Sequence, residues 1–169
     1  MYQAHMIFMI DSNLIRTYNE DKENIDKRRK YLKELKQAHI KLLNETFNER
    51  EEEEYISKKF SDLDEEKKKI CIEKWMEYRK EDKEHNEKIV RLCDEGINTC
   101  DGILRMWKGI LDEKNEKTGN FFLKQIENFK KSLKEVEEEI TEVLRNSSRS
   151  FEKLQELEIL GVKIPRRKC

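Results

Sequence analysis

The stretch from Asn120 to Leu160, NFFLKQIENFKKSLKEVEEEITEVLRNSSRSFEKLQELEIL, decides the fold of this chain. Up to Val143 its apolar residues recur at alternating intervals of four and three, which places them in one stripe along an α-helix. Asn120 stands where an N-cap belongs, and Gly161 followed by Pro165 predicts the stop. The stripe consists of Phe122, Ile126, Phe129, Leu133, Val136, Ile140, Val143, Leu154 and Leu157. One amphipathic helix is not stable alone in water, so the pattern predicts partner helices.

The composition agrees with long helices and excludes several classes of protein. Of 169 residues, 43% are charged, only five are Gly and one is Pro, which is typical of helical bundles and coiled coils. The 36 basic and 37 acidic residues are interleaved, so the basic stripe that nucleic acids require is lacking. The longest apolar run, Met6 to Ile10, is too short for a membrane span or a signal peptide. We therefore expect no nucleic acid partner and no membrane span.

The predicted fold is all-α: an elongated antiparallel bundle of three to four long helices, stapled by disulfides. We expect a single domain over residues 1–169, with a lead segment at 1–11 and a basic tail at 162–169. The first helix is predicted from Ser12 to Glu49, with an N-cap among Asp11, Ser12 and Asn13 and a core seam that includes His39. The charged run Glu49–Glu54 is interpreted as its solvated end. A capping box, Ser61 with Asp64 or Asp62 with Glu65, is predicted to open the second helix.

The middle of the chain is predicted to break. A single helix from Leu63 to Leu111 would be about 75 Å long, well beyond its partners. The polar stretch Arg79–Lys88 and the residue Gly96 are the two candidate positions for a break or kink. Gly102 and Gly109 are seven residues apart and share a helix face, which indicates close helix packing or a ligand slot.

The four cysteines are Cys71, Cys93, Cys100 and Cys169. They lack C-x-x-C or histidine spacing, so we expect no metal site. They are either two disulfides of a secreted protein or four thiols of a cytosolic one. Two disulfides require the chain to reverse within the middle region, because cysteines seven residues apart on one helix lie about 10 Å apart. On the disulfide interpretation, Cys169 bonds to Cys93 or Cys100, and Cys71 takes the other.

Catalytic and cofactor-binding patterns are missing from the sequence, so we expect a non-enzymatic protein without a cofactor. His39 is interpreted as a hydrogen-bonded core histidine, and the single Asp82-x-x-His85 falls short of a di-iron motif. A protein partner is expected to bind either a helix face or the basic residues near the end, and contacts with the basic residues would weaken as salt screens them. These basic residues are Lys163, Arg166, Arg167 and Lys168.

Three features together resemble a known family: Lys/Glu-rich helices, four cysteines without metal spacing, and the pair Lys168-Cys169. From about Leu14 onward the chain is similar to the helical carboxy-terminal domain of the aegyptin-like 30–34 kDa salivary proteins of mosquitoes. This resemblance implies a secreted binder of host haemostatic or immune proteins, collagen being the known type of ligand. The acidic, Gly-rich amino-terminal half of that family has no counterpart here.

The functional prediction is therefore a secreted, non-enzymatic protein-binding domain. The alternative is an intracellular coiled-coil scaffold or adaptor with reduced cysteines. The oligomeric state is left open by the sequence. A thiol count distinguishes the two functions.

Overall fold

The computed structural model describes residues 2–45, 48–112 and 116–155, with side chains from residue 12 onward and, in the last range, from residue 118. The chain forms four helices there: α1 (Tyr2–Asn44), α2 (Glu49–Lys59), α3 (Glu65–Asp112) and α4 (Glu116–Gln155). Across these ranges the backbone has no strand. The prediction of an all-α bundle is confirmed.

The chain divides into two compact units, and the boundaries between them fall inside α1, α3 and α4. Unit 1 comprises Met1–Gln37 and Arg91–Ile140, and unit 2 comprises Ala38–Val90 and Thr141–Cys169. The single domain remains a prediction, and each unit is described separately below.

In unit 1, the three long helices run up, down and up. Arg29 of α1 contacts Asp101 of α3 at 2.7 Å, and Lys36 contacts Asp94 at 2.5 Å. Because the α1 numbers rise as the α3 numbers fall, these two helices are antiparallel. Asp21 and Arg28 of α1 pair with Lys130 and Glu137 of α4, and because both sets of numbers rise together, α4 lies parallel to α1. The buried side chains between them include Ile25, Leu32, Ile103, Trp107, Ile126 and Leu133.

In unit 2, the short helix α2 closes one end of the core. Its Ile56 packs with Trp75 of α3 and Leu154 of α4, and all three are buried. Asn48 caps α2 by accepting hydrogen bonds from the backbone N–H groups of Arg50 and Glu51. The interpretation of Glu49–Glu54 as the solvated end of the first helix is wrong. A cap followed by glutamates in the first turn starts a helix, because the carboxylates oppose the positive amino end of its dipole.

Several predicted helix ends are displaced. α1 begins at Tyr2 rather than near Ser12, since the residues before Ser12 include no Gly or Pro that would stop a helix. α4 begins at Glu116, so Asn120 lies inside it and is not its N-cap. α3 is capped by Asp64, whose Oδ1 accepts the Lys67 N–H at 2.9 Å, rather than by Ser61 or Asp62.

The predicted break in the middle helix is wrong, because α3 runs unbroken for 48 residues. At Gly96 the missing side chain makes room for a neighbour: an added Cβ would lie 2.7 Å from Leu32 Cδ1. This glycine permits a close helix contact instead of ending the helix. The polar stretch Arg79–Lys88 is helical throughout, and its residues Arg79, Asp82 and Asn86 have the polar partners described below.

The stripe on α4 is confirmed. Six of its residues are buried: Ile126, Leu133, Val136, Ile140, Val143 and Leu154. Phe122 and Phe129 are half-buried, and Leu157 lies outside the described residues. A Cβ on Gly109 would lie 3.1 Å from the Phe122 ring, and one on Gly102 would lie 3.7 Å from the Phe129 ring. Gly109 therefore serves close helix packing, the first of the two predicted roles, whereas a Cβ at Gly102 would make an ordinary contact.

Candidate functional site

Unit 2 contains a cluster of polar side chains between three helices, which we name the polar cluster. α3 contributes most of it at helical spacing, α2 contributes one carboxylate and α1 contributes one histidine. Its members are His39, Glu52, Trp75, Arg79, Asp82, His85 and Asn86.

Glu52 of α2 anchors one side of the polar cluster. Its Oε1 accepts the Trp75 indole N–H at 2.8 Å and lies 2.9 Å from Arg79 Nε. The Arg79 guanidinium also lies 3.8 Å from Asp82 Oδ2. The side chains of Arg79 and Asp82 are only 13% and 10% exposed, so this ion pair is largely removed from water.

Asn86 and His39 join α3 to α1 at the other side. Asn86 is buried, and its Oδ1 lies 2.8 Å from His39 Nδ1. The prediction that His39 is a hydrogen-bonded histidine on the core seam is confirmed. His85 differs from it, because its Nδ1 is buried and makes no hydrogen bond within the described part of the chain.

Burial controls the protonation of this region. Loss of water raises the pKa of the Asp82 carboxyl, and the lowering effect of Arg79, His85 and His39 only partly offsets it. Burial, and after it the neighbouring Asp82, raises the pKa of Tyr78 to about 12. A carboxyl shifted toward its neutral form beside histidines is a type of group that acid–base catalysts use. Here the observed contacts instead tie α1, α2 and α3 together, as a buried structural network does.

Metal binding gains no support from the geometry. Within the described residues, no group of three or more His, Cys, Asp or Glu side chains is arranged to hold a metal ion. Asp82 and His85 do share one helix with the spacing noted in the sequence, but they belong to the polar cluster.

The three described cysteines are buried thiols, and the predicted disulfide between Cys71 and either Cys93 or Cys100 is wrong. Cys71, Cys93 and Cys100 are all free, and all lie on the unbroken helix α3. The shortest separation, seven residues, is about 10 Å along a helix, beyond the reach of a disulfide. Burial raises the pKa of Cys93 and of Cys100 to about 11 in each case, and it also raises the pKa of Cys71.

The other predicted site residues lie outside the described residues. These are Cys169 and the basic residues Lys163, Arg166, Arg167 and Lys168. Their roles therefore remain predictions. None of the described helices is long and apolar enough to cross a membrane.

Sequence reasoning did not single out a group of exposed apolar side chains in unit 1. Phe121 is 58% exposed, Ile15 48% and Leu111 39%. Leu111 appeared only as the end of the predicted middle region, and Phe121 directly precedes the stripe residue Phe122. A signal was present for Phe121, since neighbouring residues on a helix point about 100° apart and it cannot share the stripe.

Unit 2 also has an open cleft between α3 and α4, of about 310 Å³. Glu81 of α3 accepts a hydrogen bond from the Ser150 hydroxyl at 2.8 Å across it. Lys74 and Glu77 line one wall, and Lys153 and Leu154 line the other.

Comparisons of the chain with protein-family models, with curated proteins and with solved structures found no match.

Proposed function

We propose that this chain is a non-enzymatic, protein-binding helical domain. The observation that carries the proposal is the group of three exposed apolar side chains in unit 1, Ile15, Leu111 and Phe121, which we name the apolar end. Large apolar side chains grouped on a surface are typical of protein–protein contacts, whereas isolated ones are ordinary.

Contacts within unit 1 place these three residues at the same end. Tyr18 of α1 and Trp107 of α3 are in ring contact at 5.8 Å. Ile15 lies about one turn before Tyr18, and Leu111 lies one turn after Trp107; because α1 and α3 are antiparallel, both steps lead the same way. Phe121 adjoins Phe122, whose ring covers Gly109, two residues before Leu111.

The charged side chains of the same unit support a binding role over a catalytic one. Asp21 accepts a hydrogen bond from the Trp107 indole at 2.6 Å and pairs with Lys130 at 2.6 Å. Arg28, Arg29 and Lys36 are likewise paired across helices. These groups hold the helices in register, and the apolar end is a surface available to a partner.

The thiols bear on where the protein works. A secreted, salivary type of binder remains a prediction from the resemblance, and it was expected to carry two disulfides. Three buried thiols on one unbroken helix favour the alternative, a scaffold or adaptor in a reducing compartment. Counting the thiols of protein made in an oxidising compartment tests this: four free thiols support the reducing compartment, and a disulfide involving Cys169 supports secretion.

The binding proposal is tested by photo-crosslinking in extract of the source cells. A photoreactive phenylalanine analogue at position 121 is compared with one at position 31, where Tyr31 is 54% exposed in the same unit. We expect a discrete crosslinked protein from position 121 only, and its loss in an Ile15→Ser chain. Equal crosslinking from both positions, or none from position 121, would overturn the proposal.

The basic residues Lys163, Arg166, Arg167 and Lys168 remain a predicted second contact for a partner. If they bind an acidic partner surface, raising the salt concentration weakens the complex, since exposed charges are screened beyond about 8 Å at physiological ionic strength. Complex formation that is insensitive to salt would assign the binding to the apolar end alone.

A further inference from the structure

Ser61 lies in the turn that joins α2 to α3. It was one of the predicted caps of α3, but Asp64 fills that role, so capping does not occupy the Ser61 hydroxyl. Among the Ser and Thr residues of the described ranges, Ser61 is the only one outside a helix, and its side chain is exposed. It is therefore the described hydroxyl that a modifying enzyme reaches with the least unfolding of the chain.

The backbone of this turn is held less firmly on one side of Ser61 than on the other. On the amino side, Phe60 is 3% exposed and belongs to the buried core cluster of unit 2. On the carboxyl side, Leu63 is only half-buried against that cluster, and Asp62 and Asp64 are exposed. The Ser61 N–H itself donates a long hydrogen bond of 3.4 Å to the Lys58 carbonyl. The chain after Ser61 can therefore be drawn out at lower cost than the chain before it.

The residues directly after Ser61 are acidic. At the first, third, fourth and fifth positions after it stand four exposed carboxylates, those of Asp62, Asp64, Glu65 and Glu66. Protein kinases select their substrates by charge patterns of this kind, because the groove beside the active site carries the complementary charge. A basic groove is complementary to the carboxyl side of Ser61.

Basic residues flank this acidic block on both sides, and both flanks lie within helices. Lys67, Lys68 and Lys69 follow it inside α3, so the first of them is three residues further from Ser61 than Asp64 is. Lys58 and Lys59 precede Ser61, but they form the last turn of α2 and are followed by the buried Phe60. A kinase that reads basic residues before its acceptor would have to unfold the end of α2 and extract Phe60 from the core. The turn therefore favours recognition of the acidic side.

We propose that Ser61 is a phosphorylation site for a protein kinase that recognises acidic residues after its acceptor. In the reaction, Ser61 Oγ forms a bond to the γ-phosphorus of Mg²⁺-bound ATP while the bond from that phosphorus to ADP breaks. The hydroxyl proton passes to the catalytic aspartate of the kinase. The site lies in unit 2 and does not depend on the apolar end, which belongs to unit 1.

Phosphorylation of the full chain in vitro tests the proposal. The folded protein is incubated with Mg²⁺, ATP and a purified kinase that requires a carboxylate three residues after its acceptor serine. Peptide mapping by mass spectrometry then locates the phosphate. We expect one phosphoryl group per chain, on Ser61, and none in Ser61→Ala. Phosphate on another residue in place of Ser61, or no phosphate at all, would contradict the proposal.

Asp64→Asn tests the recognition by charge. Asparagine removes the carboxylate, while its side-chain oxygen still caps α3 through the Lys67 N–H, as that of Asp64 does. The matched control is Glu53→Gln, which removes an exposed carboxylate from α2, before the acceptor. We expect the rate of Ser61 phosphorylation to fall at least about fivefold in Asp64→Asn and to stay unchanged in the control.

Circular dichroism checks that both variants keep the native helix content. In parallel, the native chain is incubated with a kinase that requires basic residues before its acceptor, and we expect slower phosphorylation of Ser61. Equal rates for the two variants with the first kinase, or faster phosphorylation by the second, would show that the acidic residues are not what a kinase recognises here.

Discussion

At the residue scale, Asp82 shows how burial and pairing compete at one carboxyl. It lies near Arg79, His85, His39 and Glu45, and burial outweighs the cations, so its pKa in the folded protein is raised above 3.8. The folded state therefore binds the proton more tightly than the unfolded state. The stability that this proton contributes is present below pH 3.8 and is lost as the pH rises through the folded pKa.

Asp82→Asn tests this balance, because asparagine keeps the shape without the charge. We expect the free energy of unfolding to rise at neutral pH, and the difference from the native chain to shrink as the pH falls toward 3.8. Urea unfolding over a pH series measures both, with the exposed Asp62→Asn as a control that changes neither. If Asp82→Asn destabilised the protein at neutral pH, attraction to Arg79 would outweigh burial.

At the element scale, α4 could be predicted from sequence and the continuity of α3 could not. The α4 stripe repeats at intervals of four and three from Phe122 to Val143, and such a stripe predicts burial against neighbouring helices. In α3 two local features, Gly96 and the polar stretch Arg79–Lys88, would each favour a break in a helix considered by itself. Both depend on distant partners, Leu32 for Gly96 and Glu52 and His39 for the polar stretch, and neither the register nor the proximity of those partners can be read from local pattern.

The candidate site could be predicted only in part for the same reason, since its contacts join residues that are distant in sequence. His39 was placed correctly on a core seam, but its partner Asn86 was assigned to a possible break. The sequence could not show that Ile15, Leu111 and Phe121 lie at the same end of unit 1, because this depends on how α1 pairs with α3. The predicted bond between Cys71 and Cys93 or Cys100 was wrong because it rested on a reversal that α3 does not make.

Two substitutions, Gly96→Ala in α3 and Gly119→Ala in α4, test why α3 carries a glycine at position 96 without breaking there. Gly96→Ala adds a methyl group 2.7 Å from Leu32 Cδ1, and Leu32 is itself completely buried. Overpacking costs about 1–3 kcal/mol, and the better helix propensity of alanine returns about 1 kcal/mol, so we expect a net loss of about 1 kcal/mol.

Gly119→Ala is the matched control, because nothing lies within 4 Å of the added methyl group in α4. Here only helix propensity changes, and we expect a gain of about 0.5–1 kcal/mol. Thermal or urea unfolding gives both values. Stabilisation by Gly96→Ala would mean that Leu32 moves aside at little cost, and that the space beside Gly96 is not what retains the glycine.

At the scale of the whole molecule, the three thiols on α3 can be used to follow the unfolding of both units. Cys93 and Cys100 belong to unit 1 and Cys71 to unit 2, while α1, α3 and α4 continue through both. With a pKa of about 11, Cys93 and Cys100 are about one part in a thousand thiolate at pH 8. They are therefore protected from thiol reagents until the chain opens. Their protonation stabilises the fold up to pH 9, and this contribution is lost as the pH rises through about 11.

Because three helices are shared, we expect the two units to unfold in one cooperative transition. In a Cys169→Ser chain incubated at increasing urea concentrations, a pulse of thiol reagent followed by mass spectrometry measures the labelled fraction of each cysteine. The three labelling curves should have one midpoint, and none of the thiols should react in native buffer at pH 8 within the pulse. Labelling of Cys71 at lower urea than Cys93 and Cys100 would show that unit 2 opens first, and would divide the predicted single domain into two folding units.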